Sequence, residues 1–124
     1  MIDYARECVG VPYLHQGRSL KGMDCCGVLV HVFKRLGLDY FDDDSYDHEP
    51  CPKHLRKTLD NQPSLKHTGK MGDVLIMSFA GRACHLALHS DGVIVHSYKS
   101  VGKVIEQRLC SKWAKRIVRG YSFV

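Results

Sequence analysis

No run of apolar residues in this chain approaches the ~18 needed for a membrane-spanning helix, so a helix that crosses a bilayer is excluded. The first residues, Met1-Ile2-Asp3-Tyr4-Ala5-Arg6-Glu7, carry an acid early and no apolar signal core. That predicts a protein made in a cytoplasm without a signal peptide. There is no C-x-x-C pair and no metal-type histidine spacing, so the six cysteines do not read as zinc ligands. Two of them, Cys25 and Cys26, are adjacent, and with no sign of export all six read as reduced thiols rather than disulfide partners. The acidic stretch Asp42-Asp43-Asp44-Ser45-Tyr46-Asp47 lacks the glycine at its sixth position and the distal glutamate of a calcium loop. No metal or cofactor is expected. Repeats, linkers and low-complexity tracts are also missing, so residues 1–124 read as one domain, long enough to bury a core without a staple.

What is present has the composition of a soluble globular protein: 44% apolar and 25% charged residues, with a net charge of +5. The charge is uneven. Residues 39–49 hold six of the 13 acids and none of the 18 Lys and Arg, which leaves the rest of the chain at about +11. A body this basic is drawn to polyanions, including an anionic cell envelope. Nucleic acid is an unlikely partner, because the basic residues are scattered and not interleaved with aromatics.

Ile2, Ala5 and Val9 recur at helical spacing and Val11-Pro12 stops them, which predicts a first helix over 2–9. A glycine-punctuated loop follows. The clearest element comes next, with Asp24 as N-cap, Val28, Leu29, Val32, Phe33 and Leu36 as an apolar stripe, and Gly37 as the residue beyond the end. Pro52 with Leu55 and Leu59 marks a third helix. From Gly72 the pattern turns to strands: 74–79, 83–89, 93–98, 103–109 and a last pair at 116–118 and 121–124. Helices first and strands after predict an α+β domain, N-terminal helices packed on an antiparallel sheet of five or six strands.

The Asp24 cap puts Cys25 on the first turn of a helix, where backbone N–H groups and the helix dipole favour a thiolate. Asp91-Gly92 reads as a two-residue hairpin turn, pairing Ser90 with Val93, His89 with Ile94, Leu88 with Val95 and Ala87 with His96. In that register His85 and His96 are diagonal neighbours on one face, while Cys84, Leu86 and Leu88 point away. A thiol with two such rings suits acyl transfer to water: Cys25 the nucleophile, His85 the general base and later acid, His96 the group that orients it. Helix-start N–H groups, including that of Cys25, would bind the oxyanion. His89 and the histidines at 15, 31, 48, 54 and 67 read as surface residues, Trp113 as a core anchor, and Cys8, Cys26, Cys51, Cys84 and Cys110 as structural.

Tyr13 after Val11-Pro12, Asp24-Cys25-x-Gly27 opening a helix, Gly72-Asp73-Val74 entering the sheet, His85 in a small-apolar strand and His96 beyond the next turn together resemble the NlpC-type papain-like cysteine peptidases. The resemblance spans roughly residues 2–98 and thins toward the C-terminus. It implies hydrolysis of peptidoglycan stem peptides, typically between D-γ-glutamate and a diamino acid, with Cys25, His85 and His96 catalytic and Tyr13 and Asp24 near substrate or oxyanion. The branch most resembled is phage-encoded and tail-associated, which implies tail proteins as partners and a location in the virion tail or at the cell wall. An antibacterial effector amidase of the same fold and a non-enzymatic tail module with a decayed site are the alternatives. One departure stands out: the family usually has Ser after the catalytic Cys, and here it is Cys26.

Overall fold

The computed structural model describes residues 1–46, 52–79 and 83–124. Helix α1 (Ile2–Arg6) is shorter than the sequence predicts, because its last turn tightens into i→i−3 bonds from Cys8 to Ala5 (3.0 Å) and Val9 to Arg6 (3.1 Å). That rotation buries Cys8 and leaves Val9 exposed. Strands β1 (Arg18–Ser19) and β2 (Gly22–Met23) form a small hairpin inside the glycine-punctuated loop. Helix α2 (Cys25–Leu36) runs from its Asp24 cap to Gly37. Helix α3 (Pro52–Asp60) precedes a short strand, β3 (Leu65–His67).

Strands β4 (Val74–Phe79), β5 (Ala83–Ser90), β6 (Val93–Tyr98), β7 (Lys103–Arg108) and β8 (Ile117–Phe123) follow, with the four-residue helix α4 (Ser111–Ala114) before β8. They join β3 in one antiparallel six-stranded sheet, in the order β3-β8-β4-β5-β6-β7. The β5–β6 register is the one read from the sequence, with Leu88 opposite Val95, His89 opposite Ile94 and Ser90 opposite Val93. Asp91 and Gly92 both adopt positive φ, 50° and 77°, which is the turn that lets two right-twisted strands meet.

Alternation along the strands separates two apolar layers. Leu86, Leu88, Val95 and Val104 face α2, whose Val28, Leu29, Val32 and Phe33 complete the main core with α3 residues Leu55 and Leu59. Leu75, Met77, Ala87 and Ile94 face the other way and are covered by Trp113 and Ile117. Both clusters follow from the two-residue period.

One arrangement ties the helices to the sheet edge. Residues 10–13 run beside β7, with bonds from Gly10 N–H to the Val104 carbonyl (2.9 Å), Val104 N–H to the Val11 carbonyl (2.9 Å) and Tyr13 N–H to the Gly102 carbonyl (2.9 Å). Met23 then bonds to this segment, donating to the Pro12 carbonyl (3.0 Å) and accepting from Leu14 (3.2 Å). The start of α2, two residues on, is therefore held by the β6–β7 side of the sheet.

Candidate active site

Cys25 is the first residue of α2 and is 5% exposed. Asp24 before it is 1% exposed, and its carboxylate accepts from four donors. One oxygen takes Gly27 N–H (3.0 Å) and Arg18 Nη1 (2.9 Å); the other takes Gln16 N–H (3.0 Å) and the Tyr46 hydroxyl. Two carboxylate oxygens offer about four acceptor positions, so all are in use. Asp24 therefore caps the helix and anchors the flanking loops. Sequence reasoning missed Arg18, Gln16 and Tyr46, because nothing in local spacing links them to position 24. Burial alone would depress the Arg18 guanidinium, but its hydrogen bonds to Asp42 and the charge of Asp24 reverse this and raise it.

His85 and His96 lie on the same face of the β5–β6 hairpin, with His85 Nε2 2.5 Å from His96 Nδ1. His96 Nε2 is in turn 3.0 Å from Gln107 Oε1 on β7. The pair sits in an aromatic box: Trp113 has its ring centre 5.0 Å from that of His96, and Phe79 and Tyr98 lie 5.6 Å and 5.9 Å from His85. Trp113 is a core anchor as expected, and it also roofs the histidines. Gln107 is a polar partner that sequence reasoning missed; carrying the hairpin register one strand further, through the turn before Lys103, would have found it.

The rings face away from the α2-side core to which Cys25 and Cys26 belong. The link between them is the edge described above, closed by Ser97 Oγ donating to the Met23 carbonyl at 2.7 Å. Ser97 is next to His96 and Met23 is two residues before Cys25. Tyr13, half-buried, lies in the segment bridged to Met23. Among the described residues no hydrogen bond joins Cys25 to either ring, and the sulfur's partner is the Cys26 thiol. That bond, then burial, pushes the Cys26 thiol well above its ordinary range, so Cys26 stays protonated.

The other cysteines and histidines divide differently from expectation. Cys8 is fully buried, and burial with the nearby Glu7 charge pushes it up to about 12, so it is an inert core thiol. Cys110 is exposed and caps α4, so it is no part of the core. Of the histidines expected on the surface, His67 is exposed; His15, His31 and His54 are half-buried, with His15 and His54 packed edge-on against Tyr46. Cys51, His48 and the side chain of Cys84 lie outside the described residues.

A sequence profile described as the NlpC/P60 family matches residues 10–121. This chain belongs to the NlpC/P60 family. Its fold is that of solved family domains. The NlpC/P60 domain of peptidoglycan hydrolase SagA superposes with a TM-score of 0.59 at 17% identity, covering 95% of this chain and 92% of that one. An NlpC/P60 family protein from Bacillus cereus gives 0.61 at 20% identity, over 95% of this chain and 37% of its own. The peptidoglycan hydrolase RipB of Mycobacterium tuberculosis gives 0.59 at 22% identity, over 95% and 61%. No curated protein matches the sequence. As an NlpC/P60 domain, the chain has the α+β architecture expected from its sequence, with helices beside a six-stranded antiparallel sheet.

Burial holds His85 well below the usual histidine range, and the charges of His96 and Arg116 add to the effect. Burial also lowers His96, against the hydrogen bond to Gln107. Both rings are therefore neutral at pH 7. The unfolded chain takes up these protons near pH ~6.5, whereas the folded rings resist. Stability from the pair is then complete above about pH 6.5 and is lost as pH falls toward the folded values. Each unit of depression is worth about 1.4 kcal/mol, or roughly 3–6 °C in a domain of this size. Melts between pH 7.5 and 5 should show a falling Tm, with a flatter slope in the His85→Gln/His96→Gln variant. Equal slopes would refute the argument.

Proposed function

We propose that this NlpC/P60 domain is a cysteine peptidase of bacterial cell-wall peptides, with Cys25 as nucleophile, His85 as general base and His96 as its orienting partner. The observation that carries the reading is the hydrogen-bonded His85–His96 pair, presented beside the edge that holds the start of α2. His85 spends Nε2 on His96, so Nδ1 is the nitrogen left to take the thiol proton. In the reaction, Cys25 Sγ attacks the amide carbon as His85 removes its proton. Backbone N–H groups at the helix start hold the oxyanion, and His85 returns the proton to the leaving amine. Water, deprotonated by the same ring, then releases the acyl group and regenerates the thiol. Neutral imidazole is the form this sequence requires. In this reading Tyr13 borders the substrate, which its bridge to Met23 beside the start of α2 supports.

Support for the substrate class comes from family membership and from relatives named as peptidoglycan hydrolases. The bond proposed is that between D-γ-glutamate and the diamino acid, from the sequence resemblance. Digestion of purified peptidoglycan, with mass spectrometry of the released muropeptides, identifies the bond from its new termini; intact muropeptides would overturn the reading. The setting proposed with it is a phage tail, reached from a cytoplasm, again on the sequence resemblance. Proteomics of purified virions checks this, and absence of the chain from them would reject it.

A further inference from the structure

The two hydrogen bonds beyond His85 repeat one geometric step. His85 on β5, His96 on β6 and Gln107 on β7 are successive diagonal neighbours on one face: Gln107 is paired with Ile94, and His96 with Ile105. Such neighbours lie about 7–8 Å apart at the backbone, within reach of long side chains. An imidazole passes direction along a chain of this kind, because in the neutral ring one nitrogen donates and the other accepts. The group at the far end therefore decides which nitrogen of the first ring carries the proton.

We propose that Gln107 is a positioning residue that sets this direction: its Oε1 accepts from His96 Nε2–H, leaving His96 Nδ1 to accept from His85 Nε2–H and His85 Nδ1 unprotonated. With the amide reversed, its NH2 would donate to His96 Nε2. His96 would then donate from Nδ1 to His85 Nε2, and the proton would sit on His85 Nδ1. In that arrangement His85 cannot accept a thiol proton. Gln107 thus acts two residues removed from the sulfur, and the inference rests on the peptidase reading only for its catalytic consequence. Among the described residues, the charged group acting on His85 is Arg116, whose guanidinium lies over Phe79 (4.6 Å) and Trp113 (4.7 Å). Met77, Phe79 and Trp113 around them carry no ionisable group. Glu106 points to the other face, where it accepts from Arg6 (2.8 Å).

Nitrogen-15 NMR of the histidine rings in the substrate-free protein reads the tautomers directly. At pH 7.5 the native protein should show protonated Nε2 at both His85 and His96. Gln107→Ala should mix the tautomers and cut the rate of Cys25 alkylation by iodoacetamide about 10-fold. Gln107→Glu keeps the acceptor and adds a charge, so it should restore the Nε2–H tautomers and move the acid limb of the alkylation profile to higher pH. Because Gln107 is half-buried on the edge strand, both variants should fold, and amide spectra check this. Protonated Nδ1 in the native protein, or tautomers and a pH profile untouched by both substitutions, would overturn the proposal. A native pattern as expected in a protein that cleaves no muropeptide would leave Gln107 in its positioning role and defeat the peptidase reading alone.

Discussion

Cys25→Ala should lower muropeptide cleavage by about 10⁴-fold or more while the protein still folds. Losing a nucleophile removes the covalent route altogether, and only binding and oxyanion contacts remain to help water attack. The adjacent thiol is no substitute. Cys26 is buried among α2-side core residues and held protonated by its bond to Cys25, so it neither faces a base nor ionises readily. The companion Cys26→Ser variant should keep most of the activity, since a hydroxyl can also donate to the Cys25 sulfur. Hydrolysis that persists in Cys25→Ala, at more than a few per cent of the native rate, would remove the catalytic assignment. His85→Ala should fall nearly as far, because nucleophile and base act as one unit.

The second large effect is on stability. Asp24→Ala would strand the N–H groups of Gln16 and Gly27, the Tyr46 hydroxyl and one arm of Arg18 in a site that is 1% exposed. Breaking a buried charge pair costs about 3–5 kcal/mol. Arg18 retains Asp42 at 3.0 Å, so the lower end applies, about 3 kcal/mol. Against a total stability of roughly 5–15 kcal/mol this is a large fraction. Tm should drop by roughly 10–20 °C. Asp24→Asn, which keeps one acceptor oxygen, should lose about half as much. A Tm change under about 2 °C in Asp24→Ala would show that the network is not what holds this region.

Several parts of the molecule were legible because local chemistry and tertiary role agree. The Asp24 cap and the apolar stripe of α2 each specify the same helix start, and the Asp91-Gly92 turn fixes the register that brings two rings together eleven residues apart. Misreadings occurred where tertiary contacts outrank local pattern. The stretch from Ile117 to Phe123 reads as two strands because Gly120 looks like a break. In the structure it is one strand, and the glycine is there because a Cβ would lie 2.6 Å from the Met71 carbonyl. Strand β3 has only Leu65 buried among its three residues, too little to show a period. Gln107 and Arg18 matter through partners 11 and 6 residues away that only the folded register makes visible.

The segment 10–13 also decides how copies of this protein can meet. By pairing with both backbone groups of Val104 it covers the start of β7 and shortens the ladder that this rim offers to a foreign strand. The opposite rim is β3, three residues long and remote from the rings. Both rims are therefore poor templates for strand-by-strand polymerisation, one because it is short and the other because the chain's own N-terminal strap caps its beginning.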